Sequence, residues 1–205
     1  MKQVNITSWN RHKLYTHFLG LKDPYFGVTI PFDVTMAYEY AKDNNISFFV
    51  RYLHDCLKAI NKVDNFRYRI IDDQVIDFNV IHASATIARP DHTYGFSFIA
   101  YDRDLEIFLN RFKKEKQRIL NSDDLYPPVN SQDCIHCSAL PWFTFTGHKE
   151  PVSGKLQSIP QLAFSKFEKR DNRLIMNVSI HVNHALVDGY HVGLFAEEFQ
   201  FYLNS

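Results

Sequence analysis

At 205 residues the chain falls within the range of one domain with a core of ordinary size, and 45% apolar with 22% charged residues describes a globular polymer rather than a disordered one. Its 23 basic residues balance 23 acidic ones, so composition carries no electrostatic footprint for nucleic acid. No run approaches the ~20 apolar residues of a membrane span and Met1 to Ile6 lacks an apolar signal region, which makes a cytoplasmic enzyme or binding protein the expectation.

In chain order, Thr35 to Asn44 reads as a short helix capped by Thr35. Phe48, Phe49, Tyr52, Leu53, Cys56, Leu57, Ile60 and Val63 recur at helical spacing, which predicts an amphipathic helix of about 16 residues. Phe66 to Ile71 and Val75 to Val80 flank Asp72-Asp73-Gln74 as a hairpin. Ser84 to Ala88 and Tyr94 to Ile99 read as strands, and Leu105, Phe108, Leu109 and Phe112 mark a third helix. The basic residues Lys113, Lys114, Lys116 and Arg118 on it alternate with other types and form no patch. Leu162 to Phe167 and Arg173 to Asn183 make a strand pair around Lys169-Arg170-Asp171-Asn172, and Val192, Phe195, Phe199 and Leu203 a C-terminal helix. No repeat or Gly/Ser linker divides residues 1–205, so one α+β domain is expected, a two-layer mixed β-sheet with helices packed on one face.

Aromatics reach 15%, with 18 Phe and 11 Tyr against 7 Gly, as suits a bulky core or a site lined with rings. The cysteines, Cys56, Cys134 and Cys137, are odd in number, which argues against a disulfide framework. Cys134-x-x-Cys137 with His136 between suggests zinc, but no second Cys/His pair stands at ligand spacing, so no metal is expected.

The strand over 173–183 carries the informative pattern. Leu174, Met176, Val178, Ile180 and Val182 share one phase of the two-residue period, and His184 continues it. A histidine at the end of an apolar face is partly desolvated, which favours the neutral imidazole that a general base requires. A lone histidine at a strand end is more often structural than catalytic, and Asp188-Gly189 allows a plain turn.

Context decides between these. His184-Ala-Leu-Val-Asp188-Gly189 resembles the H-x-x-x-D-G motif of acyltransferases that use coenzyme A or carrier thioesters. Trp9-Asn10-Arg11 near the start, Ser138-Ala139-Leu140-Pro141-Trp142 in the middle and His184 to His191 near the end, in that order, resemble the chloramphenicol acetyltransferase family over nearly the whole chain. The resemblance implies a homotrimer with each site between subunits, and acetyl-CoA as co-substrate. It implies His184 as general base toward an acceptor hydroxyl, Ser138 as hydrogen-bond donor to the oxyanion, and Asp188 paired with Arg11 to shape the site. Lys166 aligns with a lysine near the coenzyme phosphates, and Tyr25, Phe26, Tyr94 and Phe96 fall where aromatics line the acceptor pocket.

The chain also departs from that family. Asn183 stands where a second histidine is usual, His148 and Glu150 replace two pocket hydrophobes, and Ala163 replaces a threonine. The reaction expected is therefore O-acetylation of chloramphenicol or a similar small acceptor. The alternatives are the same chemistry on another hydroxylated acceptor, a dihydrolipoyl acyltransferase catalytic domain, and a non-catalytic small-molecule-binding protein on the same fold.

Overall fold

A computed structural model describes residues 1–151 and 157–205. Two strands and two helices open the chain: β1 (Lys2–Gln3), α1 (His12–Leu19), β2 (Tyr25–Asp33) and α2 (Thr35–Asp43). Next come α3 (Phe48–Lys62), the single turn α4 (Asp64–Arg67), β3 (Tyr68–Ile71), β4 (Gln74–Asp77), β5 (His82–Ala88) and β6 (Tyr94–Phe96). The remainder is α5 (Leu105–Leu120), β7 (Cys134–Leu140), β8 (Gln161–Arg170), β9 (Arg173–Asn183) and α6 (Gly189–Leu203). Among the described residues no helix is long and apolar enough to cross a membrane.

The main sheet has six strands in the order β2-β9-β8-β7-β5-β6. It is mixed: β7 runs parallel to both β5 and β8, while β9 is antiparallel to β8 and β2. Its apolar face supplies Met176, Val178, Ile180 and Val182 from β9, with Leu162 and Phe164 from β8. These pack with Leu53, Leu57 and Ile60 of α3 and Phe195, Phe199 and Leu203 of α6 in one cluster. The α+β layering read from the sequence is the observed one. A separate three-stranded sheet, β1-β4-β3, is the addition. It is fastened to the start of β7 by Arg69, whose fully buried guanidinium donates to the carbonyls of Phe66, Tyr68, Gln132 and Cys134.

Several local expectations shift. The β3–β4 hairpin closes on Asp72 and Asp73, both at positive φ (47° and 59°), as a two-residue turn of the primed kind requires. Thr35 does not cap α2 with its own hydroxyl. The Asp33 carboxylate accepts from both the Thr35 amide and hydroxyl, because an aspartate two residues before a helix start already fills that role. Phe66 lies in the turn α4 rather than in a strand, and the strand from Tyr94 ends at Phe96. Beyond Phe96 the contact with β5 continues through Ser97, bonded to Ala85, and Ile99, which bridges Ala83.

The second face of β9 is polar yet also buried, with Asn177, Ser179, His181 and Asn183 all nearly inaccessible. Described residues between β7 and β8 lie across it. The Phe145 carbonyl accepts from Asn177 Nδ2 at 2.8 Å, and the Gln157 carbonyl accepts from Asn183 Nδ2 at 2.7 Å. The His148 ring meets that of His181 edge-on, centroids 5.8 Å apart. Strand β2 carries Gly27 opposite His181, and a Cβ there would come 2.4 Å from the imidazole. Only glycine admits that ring, because the contact falls well inside van der Waals distance.

Candidate active site

Strand β9 ends at Asn183, and the turn that follows is tied down by that residue. Asn183 Oδ1 accepts from the Ala185 amide at 2.9 Å, and its backbone carbonyl accepts from the amides of Leu186 and Val187 at 3.0 Å each. The His184 amide donates to the Pro24 carbonyl at 2.8 Å. Its imidazole stacks on Phe18 of α1, centroids 3.8 Å apart and planes 7° from parallel, and Phe26 of β2 lies 4.6 Å away. Phe26 pairs with Val182 across the β2–β9 ladder, so His184 extends the apolar face as its phase in the sequence predicts. Its Nδ1 is buried without a hydrogen-bond partner among the described residues. Two rings and a backbone bond therefore fix the imidazole plane, a degree of order that favours proton transfer in a set direction.

Asp188 begins α6 as its cap. The carboxylate accepts from the amides of Tyr190 and His191, and the Asp188 amide donates to His191 Nδ1 at 3.2 Å, which closes a capping box. Across the chain, Arg11 donates through Nη1 to Asp188 Oδ2. Burial alone would raise the Asp188 carboxyl, but the Arg11 hydrogen bond and the charge of His191 outweigh it, and the net shift is downward. The pairing expected from the sequence is present, but it is single-pronged rather than bidentate. Nε and Nη2 of Arg11 are buried with no partner among the described residues. The guanidinium instead lies 5.9 Å from the Trp9 ring centroid, and Trp9 packs edge-on against Tyr68. The W-x-R segment thus brings one end of α1 to the cap of α6.

Ser138 belongs to a different surface. It lies on β7 opposite Ala163 of β8, which pairs with Ser179 of β9. Register partners share a face, so Ser138 points to the polar side with Ser179, while Cys137 points to the helices. Among the described residues its hydroxyl has no hydrogen-bond partner, and it lines an open cavity of about 500 Å³ with Phe96, Tyr126, His136, Glu150 and Gln161. His184 lies five residues beyond Ser179 along β9 and two strands across from Ser138, a separation of roughly 19 Å at ordinary strand spacings. In one chain the two residues sit on opposite faces of the sheet and share no pocket.

The other sequence-predicted residues divide accordingly. Phe96 and Glu150 line the Ser138 cavity. His148 lies behind Glu150, its Nε2 3.8 Å from the carboxylate. Tyr25 is not on the cavity wall; its buried hydroxyl donates to the Ile159 carbonyl at 3.0 Å. Phe26 faces His184 instead of the cavity. Lys166 is exposed at an irregularity of β8 between Phe164 and Phe167, its amide donating to the Phe143 carbonyl. Phe18 and the Pro24 carbonyl went unmarked in the sequence. A recognised α1 would have been the signal for Phe18.

Among the described residues no group of His, Cys, Asp or Glu is arranged to hold a metal ion. The Cys137 thiol lies in the core, pushed well up by burial, and Cys134 is pushed up to about 12 for the same reason. Alternation along β7 turns Cys137 away from His136.

A family profile described as chloramphenicol acetyltransferase matches residues 1–200. A chloramphenicol acetyltransferase from Clostridium perfringens is 26% identical over 208 aligned positions, covering 100% of this chain and 99% of that protein. One from Bacillus pumilus is 24% identical, covering 96% and 90%. A solved structure of a chloramphenicol acetyltransferase superposes with a TM-score of 0.87 at 24% identity, covering 98% of this chain and 99% of the other. The cubic core of a pyruvate dehydrogenase multienzyme complex superposes with a TM-score of 0.66 at 16% identity, covering 100% and 90%, so the fold is common to both groups.

Proposed function

The chain belongs to the chloramphenicol acetyltransferase family and is an acyltransferase; from that premise we propose that it moves acetyl from acetyl-CoA to a hydroxyl of chloramphenicol or a similar small acceptor. His184 takes the hydroxyl proton as the acceptor oxygen attacks the thioester carbonyl, forming the new C–O bond. Ser138 donates a hydrogen bond to the oxyanion that develops on the carbonyl oxygen, an interaction of ~2.7–4 kcal/mol in the transition state. Collapse of the tetrahedral species breaks the C–S bond, and the proton held by His184 passes to the departing thiolate. The products are the acetyl ester and free coenzyme A, with the imidazole neutral again. The reaction has no step for a metal.

Asp188 and Arg11 shape the site by holding the start of α6 against α1, which fixes where the His184 turn ends. Lys166, a mobile point charge on the surface, suits the phosphates of the coenzyme. Because His184 and Ser138 face opposite ways in one chain, the reading requires one protomer's His184 to meet a second protomer's Ser138, in a homotrimer with sites between subunits. We take residues 1–205 as a single acetyltransferase domain, working in the cytoplasm.

What supports the chemistry most is the ordered His184 turn, with its imidazole clamped between Phe18 and Phe26 and closed by the Arg11–Asp188 pair. Purified protein given acetyl-CoA and a panel of small hydroxylated acceptors that includes chloramphenicol is expected to release free thiol. His184→Ala is expected to abolish that release. Equal release by His184→Ala would overturn the mechanism, and no release with any acceptor, together with no acetyl-CoA binding, would favour a binding protein on the same fold.

A further inference from the structure

The cavity at Ser138 is more polar, and more negative, than a neutral aromatic acceptor requires. Phe96 and Tyr126 stack on one another at its edge, centroids 5.5 Å apart and planes 28° from parallel. The lining also includes Ser84, Thr86, His136, Gln161 and Glu150. Among its described lining residues Glu150 is the sole acid, and there is neither lysine nor arginine.

The Glu150 side chain is only 18% exposed, and the nearest base, His148, stands 3.8 Å off. That is beyond hydrogen-bond reach, and no described group donates to the carboxylate. Burial pushes the Glu150 carboxyl upward, with His148 opposing only in part. Gln161 adds a second acceptor. Its Nε2 points toward the Pro151 carbonyl, 3.4 Å away, with Oε1 at the other end of the amide. That oxygen is buried without a partner among the described residues. A carboxylate and an orphaned amide oxygen are both acceptors, so the missing complement is a donor that also carries positive charge. Rings such as Phe96 and Tyr126 present their faces favourably to a cation as well.

We propose that the acceptor taken at this site is an amino alcohol, whose protonated amine is held by Glu150 and Gln161 while its hydroxyl lies at Ser138. This rests on the cavity being the acceptor site of the acetyltransferase. A protonated amine has no lone pair to attack the thioester, so acetyl still goes to oxygen.

Chloramphenicol and its deacylated amine, 2-amino-1-(4-nitrophenyl)propane-1,3-diol, separate the possibilities because they share ring and hydroxyls and differ at the nitrogen, an uncharged dichloroacetamide in one and a protonated amine in the other. With the full-length protein at neutral pH, thiol release should show kcat/KM about tenfold or more higher for the amine, the product being an ester by mass spectrometry; loss of a charged hydrogen bond is worth about that factor. Glu150→Gln, which keeps the shape, should lower kcat/KM for the amine by about tenfold and so remove the preference. The proposal is overturned if chloramphenicol is turned over as well as the amine, or if Glu150→Gln lowers both alike. Calorimetric binding of the two compounds gives a second arm that needs no catalysis. If no acceptor releases thiol, the acetyltransferase reading has failed. Tighter binding of the amine, lost in Glu150→Gln, would still uphold the recognition, and equal binding would end it.

Discussion

Separating His184 from Ser138 into different protomers should rescue activity, because each residue serves a different half of the site. The two lie on opposite faces of the six-stranded sheet, about 19 Å apart by strand spacing, a gap that no side-chain rotation spans. His184→Ala and Ser138→Ala are each expected to lose nearly all thiol release, the second by about 10²–10³-fold as for other oxyanion donors. When the two variants are unfolded together and refolded, or co-expressed, protomers assort at random. A site is intact when its Ser138 comes from the His184→Ala chain and its His184 from the other. Each condition holds with probability one half, so about one quarter of sites in a closed ring are whole. The randomly assorted pool should therefore recover about a quarter of wild-type activity, verified by native mass spectrometry of the assembly and thiol release per protomer. Mixed oligomers that stay as inactive as either parent would show that both residues act within one chain, and the face argument would be wrong.

Two further outcomes follow from the charged groups. Arg11→Ala should destabilise the fold by about 1–3 kcal/mol in urea unfolding, below the roughly 3–5 kcal/mol for breaking a fully buried ion pair from one side, since the Asp188 side chain keeps 25% of its exposure. Asp188→Asn should cost less, as asparagine caps a helix as well as aspartate does, and an Arg11→Ala effect under about 0.5 kcal/mol would leave the pair without structural weight. The second concerns His54, fully buried on α3, with Nε2 2.9 Å from the Asp102 carbonyl and its affinity for a proton lowered first by burial. Below the ordinary histidine value of about 6.5 the unfolded chain takes up a proton that the folded chain refuses. Stability should therefore be full above that pH and fall as pH drops through it, with a lower urea midpoint at pH 5.5 than at 7.5. His82 and His191 are lowered by the same cause, so His54→Gln should flatten the slope in part. An identical slope in the variant would remove His54 from the account.

Elements whose apolar residues follow one clean period were legible in the sequence. The apolar spacing from Phe48 to Val63 predicts α3 almost to its ends, and alternation from Leu174 to Val182 predicts β9 together with the face His184 occupies. Helix α1 was not read because its apolar stripe is short, Tyr15, Phe18 and Leu19 within eight residues, with only Tyr15 buried. Strand β2 contains Gly27 and Pro31, which read as breakers. Gly27 is required by the His181 ring, and Pro31 lies on an edge strand, where a missing amide costs little.

For the site the limit is of another kind. A two-residue period assigns faces within each strand, but it does not say which face of β7 matches which face of β9. That relation passes through β8 and its register, Ser138 to Ala163 to Ser179, which no local pattern encodes. The same gap explains Tyr25 and Phe26, adjacent in sequence and assigned to one pocket. Alternation sends Tyr25 toward Ile159 and Phe26 toward His184. Glu150 shows the converse. Its charge was visible as a departure from the family, but whether it turns to solvent or into the cavity depends on how residues 143–151 fold back across the polar face. They fold so that Glu150 lines the Ser138 cavity with no lysine or arginine among the described lining residues. An uncompensated carboxylate in a half-closed pocket is tolerable only if water or a ligand supplies the counterpart. The residue that looks least suited to a neutral aromatic acceptor is thus the one that most constrains which acceptor fits.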